Sequence, residues 1–276
     1  MTLSPFQLRL WGVRGSLPVV GQEFRRFGGN TMCIEMRCGD HVLLFDAGSG
    51  LMPAGAALRA EGQRDITMFF THFHYDHVMG LPFFGPLWTC DARLKVWSGH
   101  MAGEMTTAQM MKEFMRPPFF PVGPEYCLAQ IQPGDFVAGD VLTPYPGISI
   151  QTGLLNHPGK SMGYRVDFGG RSVALITDTE HEGEALDPII LDLIRGCDLF
   201  LYDATFDEEE LSRFRGFGHS TWQRGVALAQ AAGVPQVGFI HHAKWRTDAD
   251  LDAIEARAKA LHPGAFCAYD LQVIDV

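Results

Sequence analysis

Several things are missing from this 276-residue chain, and each absence excludes a class of protein. There is no Cys-x-x-Cys pair. The six cysteines, at positions 33, 38, 90, 127, 197 and 267, are scattered, so they form neither a zinc knuckle nor a disulfide framework. A reducing, cytoplasmic setting is the expectation. No stretch approaches the roughly 20 apolar residues of a membrane helix. The start, Met1-Thr2-Leu3-Ser4-Pro5, has no basic segment followed by an apolar one, so no secretory leader is expected. Positive charge is scarce: 22 Lys and Arg stand against 32 Asp and Glu, a formal net charge of -10. That argues against a broad electrostatic surface for nucleic acid. No low-complexity linker or short repeat divides the chain, and one domain over residues 1–276 is expected. Arg116-Pro117-Pro118-Phe119-Phe120-Pro121 is too rigid and aromatic to be a tether.

What is present is concentrated at Thr71-His72-Phe73-His74-Tyr75-Asp76-His77, where four metal-capable side chains fall within six residues. Imidazoles and a carboxylate at this spacing suit zinc, iron or manganese. The run 66–70 reads as a buried strand. Just past it the chain is still extended, so His72 and His74 point the same way and can clamp one ion. Asp76 and His77 are adjacent, which requires a turn, and can address a second ion. Gly80-Leu81-Pro82 then limits any short helix.

Strand-like runs are expected at 6–11, 32–36, 41–45, 66–70, 94–97, 148–155, 163–168, 172–176, 199–202 and 237–240. Helix-like runs are expected at 54–60, 104–115, 185–194, 223–232 and 248–261, with Thr221 and Thr247 as N-caps of the last two. Glu208-Glu209-Glu210 reads as a solvated helix start. The mixture predicts a layered α/β or α+β domain with helices outside sheets. Asp46, His157, Asp178, Asp203 and His241 each follow a strand-like run. Taken singly, such a residue is most often a turn former. Five at one sheet edge, beside a histidine cluster, can converge on one site.

Phe45-Asp46-Ala47-Gly48, His72-x-His74-x-Asp76-His77, His157, Thr177-Asp178-Thr179 and His241 together resemble the metallo-β-lactamase superfamily, in the family's order. The resemblance implies an αββα sandwich with two sheets face to face and a site at one edge. It implies two divalent ions, zinc first, with manganese or iron as alternatives. His72, His74 and His157 would hold the first, and Asp76, His77 and His241 the second. Asp178 would bridge them and Asp46 would brace the cluster through hydrogen bonds. His242 competes with His241, which is preferred as the first residue past its strand. Zinc β-lactamases of the commonest type lack the equivalent of His77 and use a cysteine, unlike this chain.

Tyr202-Asp203-Ala204-Thr205 and His219-Ser220-Thr221 are similar to the His-Glu-Ala-Thr and His-Ser-Thr signatures of ribonuclease Z-like phosphodiesterases, with Tyr202 for His and Asp203 for Glu. Gly12-Val13-Arg14-Gly15-Ser16-Leu17-Pro18 and Gly28-Gly29-Asn30-Thr31 are similar to relatives of cyclic phosphate phosphodiesterases. The implied chemistry is attack by a metal-bridging hydroxide on a phosphodiester. His219 would be the general acid, oriented by Asp203, with Asp76 both a ligand and part of the catalytic set. Ribonuclease Z proteins that mature tRNA carry a projecting arm between the equivalents of His157 and Asp178. Here 20 residues separate the two and read as a strand pair. A small substrate is therefore expected, such as a cyclic nucleotide or sugar cyclic phosphate, with no membrane partner. A homodimer is the family expectation.

Arg14, Lys160, Arg213 and Arg215 are candidate phosphate contacts, each weighed against solvated surface charge. The segment 105–120, with Phe83, Phe84 and Trp88, is either an aromatic cap on the pocket, or an auxiliary hydrophobic cluster or subunit contact. Two other function classes use the same ligands: a lactone or thioester hydrolase, and a non-hydrolytic iron redox module.

Overall fold

In the computed structural model, which describes residues 5–276, the first half of the chain builds one sheet, which the last strand joins at its edge, and the rest of the second half builds another. The first half contains β1 (Phe6–Gly12), β2 (Cys33–Cys38), β3 (His41–Phe45), α1 (Leu51–Ala60), β4 (Asp65–Phe70), α2 (Tyr75–Val78), β5 (Arg93–Ser98), α3 (Thr107–Phe114) and β6 (Gln130–Asp135). The second contains β7 (Val141–Leu142), β8 (Ile148–Leu155), β9 (Ser161–Phe168), β10 (Arg171–Ile176), α4 (Pro188–Ile194), β11 (Leu199–Asp203), α5 (Glu208–Leu211), α6 (Trp222–Ala232), β12 (Gln236–Ile240), α7 (Asp248–Leu261), β13 (Ala265–Cys267) and β14 (Gln272–Asp275). The sheet orders are β14-β1-β2-β3-β4-β5-β6 and β13-β12-β11-β10-β9-β8-β7.

Period-two alternation explains the layering. Leu43 and Phe45 of β3 point into a core shared by both sheets, with Phe69, Tyr164, Val173, Leu175 and Leu201. Val42 and Leu44 point the other way, onto Leu51, Ala54 and Leu58 of α1. The outer face of the second sheet is covered in the same manner by α4, α6 and α7. The result is the expected αββα sandwich, an α+β fold. Each sheet is antiparallel in one half and parallel in the other: β3 to β6 and β10 to β13 run parallel. Parallel strands send their C-terminal ends to one edge, and that is where open α/β sheets bind ligands.

Several boundaries differ from the sequence reading. β6 was unpredicted because Pro133 and Gly134 interrupt its pattern. It is an edge strand, where a missing N–H is tolerated. The short β7, β13 and β14 were likewise missed. α3 starts at Thr107, because Thr106 and Gln109 close a capping box. α4 starts at Pro188, because the Asp187 side chain accepts from the Ile189 and Ile190 N–H groups. Thr221 and Thr247 cap α6 and α7 as expected. Residues 105–120 serve as the hydrophobic cluster: Met110, Met111 and Met115 are buried against the first sheet, and Phe120 packs on Phe83 and Trp88. The leader argument falls on Met1–Ser4, outside the described residues. Among the described residues, no helix is long and apolar enough to cross a membrane.

Candidate metal centre

Seven strand ends and loops deliver the site. Asp46 follows β3, and Thr71 and His72 follow β4. His74 precedes α2, which carries Asp76 and His77. His157 follows β8, Asp178 follows β10, Asp203 ends β11 and His241 follows β12. Asp46, Asp178 and His241 all have positive φ (63°, 52° and 58°), uncommon for residues with a Cβ. These sharp exits from the strands turn the side chains back over the sheet edge, a local strain typical of functional sites.

The structure brings together every residue in the expected ligand set. His72, His74 and His157 form one group of converging nitrogens, and Asp76, His77 and His241 form a second. His74 Nδ1 lies 3.1 Å from His157 Nε2. His241 Nε2 lies 3.1 Å from Asp76 Oδ2 and 3.4 Å from His77 Nε2. Asp178 lies between the groups: its Oδ2 is 3.6 Å from His72 Nε2 and 3.4 Å from His241 Nε2, and its Oδ1 is 3.4 Å from His77 Nε2. His242 is excluded from the cluster. Its Nε2 donates to the Ala268 carbonyl (2.8 Å), and burial pulls its pKa down to about 3.

Hydrogen bonds behind the cluster fix its orientation. Asp46, fully buried, accepts from Thr71 N (2.7 Å), Thr71 Oγ1 (2.8 Å) and His77 Nδ1 (2.8 Å). The last bond places the His77 proton on Nδ1 and leaves the Nε2 lone pair facing the centre. The Gly218 carbonyl does the same for His157 by accepting from Nδ1 (2.8 Å). Thr205 Oγ1 sits 2.9 Å from His241 Nδ1. Ser16 N donates to Asp76 Oδ2 (2.7 Å).

This set fits a divalent metal. Buried Asp46, Asp76, Asp178 and Asp203 concentrate negative charge, and the groups that oppose it at Asp46, Asp76 and Asp178 are imidazoles. His72 Nε2 is buried, aimed into the cluster and without a hydrogen-bond partner. Burial pushes the Asp178 carboxyl up, but His241, His77 and His72 outweigh it and hold the group well below the usual carboxylate range. His72 and His157 are lowered, first by burial. At His77 burial is outweighed by the charges of Asp178, Asp76 and Asp46, which hold the ring well above its ordinary value, a charge that a bound cation would displace. Neutral imidazoles and ionised carboxylates are the forms that ligate.

Beside the cluster, His219 Nδ1 lies 3.0 Å from Asp203 Oδ2. Burial pulls the His219 pKa down. The charge and hydrogen bond of Asp203, aided by Asp178 and Asp76, overcome that and raise it to about 9. Its ring stacks on His241 at 4.7 Å. A cleft of about 470 Å³ opens here, lined by Ser16, Phe73, His74, Asp76, Asp178 and His219.

Thr71, Thr205, Ser16 and Gly218 were given no role from sequence, since a hydroxyl or a glycine carries no ligand signal. Arg14 is not a phosphate contact. It is fully buried and donates to the carbonyls of Gly28, Ala243 and Arg246. Lys160 pairs with Glu104, while Arg213 and Arg215 are exposed. The interval from His157 to Asp178 is filled by β9, a Gly169-Gly170 turn and β10, with both glycines at positive φ.

Residues 41–242 match the profile of the beta-lactamase superfamily domain. A ribonuclease Z from Haloarcula marismortui is 24% identical over 298 residues, covering 89% of each chain. The metallo-beta-lactamase fold protein YhfI from Bacillus subtilis superposes with a TM-score of 0.75 at 17% identity, over 99% of this chain and 100% of that one. A diphosphatase of the PhnP family superposes with a TM-score of 0.70 at 18% identity, over 98% of both.

Proposed function

This chain belongs to the metallo-β-lactamase superfamily, and on that premise we propose that it hydrolyses a small phosphodiester, such as a cyclic nucleotide or a sugar cyclic phosphate. The coarser statement, a metal-dependent hydrolase, follows from the family and from the near full-length match to ribonuclease Z. The observation that carries the finer reading is the Asp203–His219 pair at the lip of the cluster. Esters with good leaving groups need no proton donor. A phosphodiester with an alkoxide leaving group does.

His72, His74 and His157 would hold one divalent ion, and Asp76, His77 and His241 a second, with Asp178 shared. When bound, such ions supply a nucleophile at neutral pH and neutralise phosphate charge. The protein's own residues do the rest. Asp46, Gly218 and Thr205 hold the imidazoles in their ligating tautomers. Asp203 holds the His219 proton on Nδ1 and favours the imidazolium, so Nε2 carries a proton for the departing oxygen. Two observations favour a small substrate over tRNA. The His157–Asp178 interval is a tight hairpin with no projecting arm, and the chain is strongly acidic.

His219→Ala should lower kcat on alkyl phosphodiesters by roughly 100- to 10,000-fold, while bis-nitrophenyl phosphate, whose leaving group needs no proton, changes little. Equal losses on both would remove the general-acid role. A panel of cyclic nucleotides, sugar cyclic phosphates, lactones, thioesters and precursor tRNA, run on metal-loaded protein, checks the substrate class.

A further inference from the structure

Next to His219 stands a group of rings that the reaction chemistry does not use. Phe206 and Phe214 stack face to face, with centroids 4.6 Å apart and planes 5° apart. Trp245 lies nearly parallel to both, at 6.4 Å and 5.7 Å. Phe217 meets Phe214 edge-on at 5.8 Å. At the inner end, Phe206 touches the His219 ring at 5.8 Å. Exposure rises outward: Phe206 is 3% exposed, Trp245 42% and Phe217 62%. Packing alone would bury the large end rings, and here they face water.

The same loops carry Arg213, Arg215 and Lys244. All three are exposed, and their side chains have no ion pair or hydrogen bond among the described residues. Two nearby carboxylates are already engaged. Glu180 accepts from Gly216 N and Gly218 N, and Glu210 pairs with Arg246 and accepts from Asp207 N. Glu208 and Glu209 are exposed on the same segment without pairing to them. In a chain of net charge -10, three cations with no direct ion pair among the described residues, beside exposed aromatic faces, complement a ligand that is flat and anionic.

We infer that Trp245 and Phe217, backed by Phe206 and Phe214, form a base-stacking subsite for the leaving group, so that the substrate is a nucleoside-bearing phosphodiester. The inference rests on the phosphodiesterase reading and deepens it. His219 delivers its proton to the leaving oxygen, so the leaving alcohol lies on the His219 side, where the platform begins. Water adds to phosphorus and gives up one proton to solvent, one P–O bond to the nucleoside breaks, the departing oxygen takes the His219 proton, and solvent returns a proton to His219. A base on that nucleoside meets the exposed rings, and every base has a face to stack.

The test compares adenosine 2′,3′- and 3′,5′-cyclic phosphates with a methyl riboside cyclic phosphate that lacks the base, on metal-loaded protein. Wild type should favour the base-bearing diesters in kcat/KM by roughly 5- to 100-fold. Phe217→Ala and Trp245→Leu should reduce that preference and leave the base-free substrate unchanged, whereas Trp245→Phe, which keeps a ring, retains most of it. Adenosine monophosphate should quench tryptophan emission in wild type and not in Trp245→Phe. Equal rates on both substrates, or equal losses on both in the variants, would overturn the subsite and leave the phosphodiesterase reading standing. If no diester is hydrolysed, bis-nitrophenyl phosphate included, that reading falls. The quench then decides alone, its presence supporting a nucleotide-binding platform and its absence overturning it.

Discussion

Asp46 touches none of the cavity and yet governs it. Its carboxylate ties the β3 exit to Thr71 and to His77 Nδ1. Burial raises its pKa, and the charge and hydrogen bonds of His77 and Thr71 pull against that rise. In Asp46→Asn an amide N–H replaces one acceptor, and either Thr71 or His77 is left with a donor facing a donor. Metal affinity should fall roughly 10- to 100-fold, as for other partners of metal-bound histidines. Competition with a chromophoric chelator measures this. An unchanged affinity would show that His77 is held by packing alone. At this scale the sequence was informative where chemistry is carried by a distinctive side chain. His72, His74, Asp76 and His77 announce themselves by spacing, whereas Thr71 and Thr205 act through hydroxyls that look like any other.

Among the elements, the loops at the parallel strand ends carry the function, and one glycine shows how tightly they are set. Gly218 has φ 83°, and a Cβ there would lie 2.1 Å from His157 Nδ1. Its carbonyl also receives the His157 proton, and Glu180 pins its N–H. Gly218→Ala therefore combines a disfavoured backbone with a clash on the His157 ring. The expected result is a protein destabilised by about 1–3 kcal/mol, with metal content and kcat both reduced, the latter by at least about 100-fold. Metal analysis and steady-state kinetics check it. Full metal loading with normal kcat would show that the loop relaxes at no cost. Strands with regular alternation, such as β8, were legible because burial on one face imposes period two. β6 was not, since its place at the edge makes neither alternation nor a full set of N–H donors necessary. The positive φ at Asp46, Asp178 and His241 was also hidden. Those conformations are imposed by the converging site and not by local propensity.

Seen whole, the centre is also a fastener between two sheets. His72, His74, Asp76 and His77 come from the first sheet's edge, and His157, Asp178 and His241 from the second's. The hydrophobic core holds the sheets together over their faces, but at this edge the contacts are between imidazoles and carboxylates. Buried charges of this kind contribute little net stability unless a cation completes them. Metal bound only to the folded chain stabilises it by about 2.7 kcal/mol when free metal is a hundredfold above its Kd. For a chain of this size each kcal/mol moves Tm by about 2–4 °C. Chelation should therefore lower Tm by roughly 5–10 °C, and readdition of zinc or manganese should restore it. Amide exchange should accelerate in the loops following β4, β8, β10 and β12 and remain slow in the paired strands β1, β2, β9 and β10. Acceleration spread evenly over both sheets would mean that the metal supports the whole core. No change in Tm would mean that the edge is closed by its own hydrogen bonds, with Asp46, Asp203 and the backbone turns sufficient to hold the ligands in place.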